Sequence, residues 1–156
     1  MQVTQPSHTK KISNIVLAED DIDDQNIFQI ALQEIDSAIQ TQFVSNGKEL
    51  LRLLQTEQPD LLFLDLDMPY KNGLECLIEM KNEPALEKIP VVVFSSTTKP
   101  SNIQTAYEVG AHLFFIKPPI YSDYLSSIKA IFQLDWSDPD AVKNQYCVNG
   151  RYTAFS

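Results

Sequence analysis

Asp65 and Asp67 stand one residue apart at the end of an apolar run, in the stretch LLFLDLDMP from Leu61 to Pro69. Carboxylates closing a buried strand are costly unless they are paired or bind a cation. An aspartate can also serve as a nucleophile and carry a phosphoryl group as an acyl phosphate. Other apolar runs end in the same manner. One closes on Glu19, Asp20 and Asp21, another on Ser95 and Ser96, another on Lys117 and Pro118. Phosphoryl transfer depends mainly on positioning and on neutralising charge, and each of these groups suits a part of that task. Gathered carboxylates repel one another, and a hard divalent cation such as Mg2+ relieves the repulsion. Lys117 offers a point positive charge, Ser95 a hydroxyl donor, and the loop after Ser95 a backbone N–H. Singly, such groups are commonly solvated turns, caps or plain surface. A turn-and-cap account does not explain why run after run ends in a group fit for one site.

The elements that must position them follow from the hydrophobic pattern. Strands are predicted at Ile12 to Ala18, Ile39 to Val44, within LLFLDL, within IPVVVFSS and within HLFFIK. Between and after them lie amphipathic stretches at helical spacing. The first carries Ile27, Ala31 and Ile35, with Phe28 and Leu32 beside them. The second carries Leu50, Leu51, Leu53 and Leu54, with Asn46 as its cap. GLECLIEMKN forms the third, and PSNIQTAYEV the fourth, with Pro100 in its first turn and Gly110 past its end. The fifth turns Leu125, Ile128 and Phe132 inward. Strand and helix alternate five times, which implies an α/β fold, a doubly wound parallel sheet with helices on both faces. The unbroken apolar runs of the third and fourth strands suit burial on both sides. In such sheets a ligand sits at the carboxyl ends of the strands, where the polar groups above stand.

Composition bounds the function. A chain of 156 residues holds one domain with a sizeable core. Hydrophobic residues at 44% and charged residues at 21% are ordinary for a globular protein. A net charge of -9 and the lack of a basic stripe argue against nucleic acid as a partner. Cys76 and Cys147 form neither a disulfide framework nor a zinc motif. The N-terminal stretch has no apolar core of a signal peptide, and no run reaches the roughly 20 residues of a membrane span. A reducing cytoplasm is therefore expected. His8 and His112 are expected to be exposed or structural, and no Ser-His-Asp set is indicated.

VLAEDD, LLFLDLDMP followed by NG, VVVFSS and FFIKPP together resemble the receiver domain of bacterial two-component response regulators. The resemblance runs from about Ile12 to Leu134. It implies the flavodoxin-like form of the fold, three layers with strand order 2-1-3-4-5. It implies that Asp65 accepts a phosphoryl group from a histidine kinase or a histidine phosphotransfer protein. Glu19 and Asp20 would hold Mg2+ or another divalent cation together with Asp65 and the backbone carbonyl of Asp67. Ser95 and the amide after it would hold a phosphoryl oxygen, and Lys117 would pair with the phosphoryl group. Asp21 lies one place beyond the usual acidic pair and stays outside the ligand set. Gly73 matches the family's loop glycine and Pro69 its turn proline. By the same analogy the Lys117–Pro118 bond is expected to be cis, which an X–Pro bond tolerates. Ser95 and Phe114 match the switch positions. Tyr107, Tyr121 and Tyr124 mark the surface expected to meet a downstream protein. At Asp67 the family more commonly carries a neutral residue, so this side chain is expected to change the lifetime of the phosphorylated state.

LFLDLDMP also resembles the first motif of haloacid-dehalogenase-type phosphatases, where the first Asp is nucleophile and the second a general acid. Those enzymes usually open on that motif, place their acidic pair after the lysine, and carry Thr or Val where Pro69 stands. The receiver reading is preferred on these grounds, and with it a non-enzyme that handles only its own acyl phosphate. The expected organisation is a flexible arm at 1–11, the receiver at 12–134 and a tail at 135–156. The tail is too short for a DNA-binding output domain. Its Asn149-Gly150 pair between β-prone residues fits a type I′ hairpin, and disorder is the alternative. A stand-alone receiver working by protein–protein contact, with a homodimer possible, is the resulting expectation.

Overall fold

The computed structural model describes residues 11–155. Most of the expected N-terminal arm, His8 included, lies outside the described residues. Five parallel strands form one sheet: β1 (Asn14–Ala18), β2 (Gln40–Val44), β3 (Leu61–Leu64), β4 (Val91–Ser95) and β5 (Leu113–Ile116), in the order β2-β1-β3-β4-β5. Each is followed by a helix: α1 (Ile22–Ile35), α2 (Gly47–Thr56), α3 (Gly73–Lys81), α4 (Pro100–Glu108) and α5 (Tyr121–Phe132). The doubly wound order is the one expected. Two further elements follow, helix α6 (Pro139–Gln145) and a hairpin of β6 (Cys147–Val148) and β7 (Arg151–Tyr152).

Alternation along each strand divides the core into two halves. Val16, Leu62, Leu64, Val91, Val93 and Phe114 face one side, where Leu50, Leu54, Leu77, Ile103 and Tyr107 of α2, α3 and α4 meet them. Leu17, Leu61, Phe63, Val92, Phe94 and Phe115 face the other, against Phe28 and Leu32 of α1 and Ile128 and Ile131 of α5. Phe28, Phe63 and Phe94 lock edge to face, with centroids 4.9 to 6.0 Å apart. Truncating one such buried side chain to alanine costs about 3–5 kcal/mol. The helix faces depart slightly from expectation. Ile27 is exposed, and α5 turns Tyr124 and Ile131 in with Ile128 while Leu125 and Phe132 are half-buried.

Helix starts follow local chemistry. The Asp21 carboxylate accepts from the amides of Asp23 and Asp24 and caps α1. Asn46 caps α2. Asn72 and Glu75 form a reciprocal capping box on α3. Helix α6 was not anticipated from the sequence. The Asp138 side chain accepts from the Ala141 amide and Pro139 opens the first turn, which suffices to start a short helix. Trp136 and Val142 are buried against the α5 side of the core. Asn149 and Gly150, both at positive φ, make the turn between β6 and β7.

Candidate functional site

The sheet ladder brings the polar groups to one rim. The Asp65 amide donates to the Ala18 carbonyl at 3.0 Å, so Asp65 sits beside Glu19. The Glu19 amide in turn donates to Val44, the last residue of β2. Lys117 donates its amide to the Ser95 carbonyl at 2.8 Å, which carries the ladder one step past β5. Gly73 is required by the close approach of α3 to this rim. A Cβ there would lie 2.5 Å from the Asp65 carbonyl oxygen.

Glu19, Asp20 and Asp65 each offer a carboxylate oxygen, and the three oxygens lie within 4.8 Å of one another. Glu19 and Asp65 are buried while Asp20 is exposed, so the cluster opens to solvent on one side. Burial, and then the charge of Glu19, push the Asp65 pKa up to about 7, while Lys117 and the Asp67 amide pull it back. That amide donates to Asp65 Oδ1 at 3.2 Å, and the Asp67 side chain is exposed. Like charges this close, on oxygen ligands only, are what a hard divalent cation neutralises. The three residues therefore fit Mg2+ or Mn2+.

Lys117 does not pair with Asp65 by a hydrogen bond. Its Nζ donates to Glu19 Oε1 at 2.8 Å and to Asp24 Oδ2 at 3.0 Å, above the Phe94 ring. Burial alone would lower the Lys117 pKa, but Glu19, Asp24 and Asp65 outweigh it and the net direction is upward. The ammonium stays charged. Asp24 is a member of this site that the sequence reading missed. It lies in the first turn of α1, where acids are common for helix-dipole reasons alone, so its type and place gave no separate signal.

Other expectations fare variously. The Lys117–Pro118 bond is trans, like all peptide bonds among the described residues. The lysine side chain reaches the acids from that geometry, so an inward aim does not require the cis form. Ser95 is buried on the same rim, and its Oγ accepts from the Thr97 amide, organising the loop after β4. Phe114 is buried on the α4 side of the sheet. Tyr107 is not a surface residue. It is fully buried, stacked on Tyr152 of the hairpin at 4.6 Å. Tyr124 is buried as well, whereas Tyr121 is exposed and donates to Glu34. His112 is structural. Its Nδ1 accepts from the Val91 amide at 3.0 Å, far from the acidic rim at the opposite end of the strands.

Comparison with known proteins meets this geometry. A family profile described as the response regulator receiver domain matches residues 15–129. Response regulator Rcp1 of Synechocystis is 27% identical over 124 residues, which is 75% of this chain and 84% of that protein. A probable transcriptional regulator, ycf29, of Pyropia yezoensis is 29% identical over 86% of this chain, and the chain spans 60% of its length. Among solved structures, the phosphorylated cyanobacterial phytochrome response regulator RcpA superposes with a TM-score of 0.74 at 30% identity, covering 81% of this chain and 95% of that one. The Mn2+-bound form of Rcp1 gives 0.70 at 27% identity, over 76% and 91%. These matches lend no support to the phosphatase alternative. No helix among the described residues is long and apolar enough to cross a membrane.

Proposed function

The chain belongs to the response regulator receiver family, and from that premise we propose that Asp65 is its phospho-acceptor, with Glu19, Asp20 and the Asp67 carbonyl completing a divalent-cation site. The observation that carries this is the convergence of the Glu19, Asp20 and Asp65 carboxylates beside the Lys117 ammonium. A bound Mg2+ or Mn2+ supplies charge neutralisation for the acids and the incoming phosphoryl oxygens. The relative Rcp1 has been solved in an Mn2+-bound form, which supports a cation of this class.

In the reaction proposed, an Asp65 oxygen attacks the phosphorus of a phosphohistidine on a kinase or phosphotransfer protein. The O–P bond forms, the P–N bond breaks, and the imidazole leaves. Lys117 gives up its present carboxylate partners and turns to the phosphoryl oxygens. The Ser95 hydroxyl donates to another, which draws the loop after β4 toward the site and changes the packing around Phe114. Water later cleaves the acyl phosphate, with Asp67 at the solvent edge of the site. No free substrate is turned over. Output is a protein–protein contact in the cytoplasm, and a homodimer is one such contact.

The test is chemical. Acetyl phosphate with Mg2+ should place one phosphoryl group per chain, and Asp65→Asn should abolish the label. Label retained in Asp65→Asn, or continuous hydrolysis of a phosphate ester by the wild-type chain, would defeat the reading.

A further inference from the structure

Strand β5 is the last strand of the sheet, so one of its edges has no neighbour within it. An open edge is a template for another strand. Here residues of the C-terminal segment occupy it. The Phe155 amide donates to the Phe114 carbonyl at 2.7 Å, and Phe155 pairs with Phe115 as an isolated parallel bridge. The segment keeps the alternation of a true strand. Tyr152 and Ala154 pack on the α4 half of the core, and Phe155 on the α5 half, 6.1 Å from the Phe115 ring.

Most of the polar grip is on backbone. The Gln104 amide donates to the Tyr152 carbonyl and accepts from the Tyr152 amide. The Tyr107 hydroxyl accepts from the Phe114 amide at 3.0 Å and donates to the Thr153 carbonyl at 2.9 Å. It thus spans the distance between sheet and added segment. Such contacts hold any extended chain, while pockets for alternate side chains select among chains. The selecting positions here are Tyr152, stacked on Tyr107, and Phe155, set between Phe115 and Tyr146.

We propose that the free edge of β5, with Gln104 and Tyr107, is a strand-docking site, that Tyr152–Phe155 fill it as a displaceable latch, and that the partner it fits is an extended protein segment bearing two aromatic residues three apart. The latch is coupled to the acidic rim through β5, since Phe114 lies on that short strand and Lys117 follows directly after its last residue, Ile116. That coupling rests on the function proposed above, whereas the docking site does not. A tethered segment competes at an effective concentration of about 1 mM, so a partner binds appreciably only when the latch opens.

The full-length chain tests this in two ways. A fluorescent peptide of the sequence RYTAF is titrated into the wild type and into Phe155→Ala, whose lost side chain is only half-buried. The expected result is saturable binding to the variant, at least about tenfold weaker binding to the wild type, and none of a peptide with both aromatics replaced by alanine. Equal binding to both proteins, or to neither, overturns the docking site. Amide exchange is then followed in the wild type with Mg2+ and beryllofluoride, occupancy being read by fluorine NMR. Exchange at Phe155 should quicken at least about tenfold, the sign of local opening. Unchanged protection with the mimic bound overturns the latch, while failure of the mimic to bind counts against the phospho-acceptor reading instead.

Discussion

Lys117 shows how much of the site depends on single atoms. In this structure it is held by Glu19 and Asp24, at 2.8 and 3.0 Å. For the phosphoryl group to gain its charge, those bonds must yield. Asp24 is partly exposed, and an ion pair of that kind is worth about 0.2–1 kcal/mol. Asp24→Asn should therefore speed phosphorylation by acetyl phosphate by roughly 1.4- to 5-fold, measured as the rate of label incorporation. A slower rate would mean that Asp24 positions the lysine rather than restrains it. In the proposed reaction Asp67 belongs to the later, hydrolytic step. Its carboxylate is exposed beside Asp65, and a carboxylate can take a proton from an attacking water. Asp67→Asn should slow loss of the label by up to about tenfold, with solvent partly replacing the carboxylate. An unchanged decay rate would remove Asp67 from the hydrolysis step. Glu19, Asp20, Asp65 and Lys117 could be read from sequence because each closes an apolar strand. Asp24 could not, because it sits where the helix dipole alone accounts for an acid.

Elements hold these atoms in place through close approaches that tolerate little change. Gly73 brings the start of α3 against the Asp65 backbone, where an added Cβ would meet the carbonyl oxygen and the Leu66 Cα at 2.5 and 2.9 Å. Gly73→Ala should cost about 1–3 kcal/mol in denaturant unfolding, the usual size of an overpacking penalty, and should lower the yield of phosphorylation as the Asp65 loop shifts. At the other end of the sheet, His112 joins β5 to β4 through Val91 and faces Lys81 of α3 and Asp140 and Lys143 of α6. Burial, then the charge of Lys81, push its pKa down from 6.5 to about 4, with Asp140 opposing and Lys143 assisting. The folded chain thus resists a proton that the unfolded chain accepts. The stabilisation is complete above pH 6.5 and is lost as pH falls toward 4. His112→Gln should flatten the stability profile over that window relative to the wild type, by about 3 kcal/mol at most. A parallel pair of profiles would mean that His112 does not titrate there. The strands and helices α1 to α5 were readable because their periods are clean. Helix α6 was not, since seven residues hold too few apolar positions to show a period.

At the scale of the whole molecule, the separation of sheet rim from sheet edge is what sequence reading misses. The order of five strands follows from alternation and a resemblance. The place of the C-terminal segment depends on pairs such as Gln104 with Tyr152, 48 residues apart, which no local pattern announces. The acidic rim has a consequence for the stability of the entire fold. The chain carries a net charge of -9, and three carboxylate oxygens within 4.8 Å of one another add a local repulsion that folding must overcome. The unfolded chain has no such site, so a cation that binds the folded form stabilises it by mass action. With free Mg2+ at one hundred times its dissociation constant the gain is about 2.7 kcal/mol, which for a domain of this size raises the melting temperature by roughly 5–10 °C. Asp20 is the exposed member of the cluster and takes no part in the Lys117 pairing, so Asp20→Asn removes a ligand without leaving a buried charge unpaired. The shift should shrink to near zero in that variant. Sodium chloride of equal ionic strength should not reproduce it, because screening acts on all the exposed charges rather than on one cluster. If Mg2+ and sodium chloride gave the same shift, or if Asp20→Asn kept the full response, the ion would be acting on the general negative charge of the surface, and the rim would not be its site.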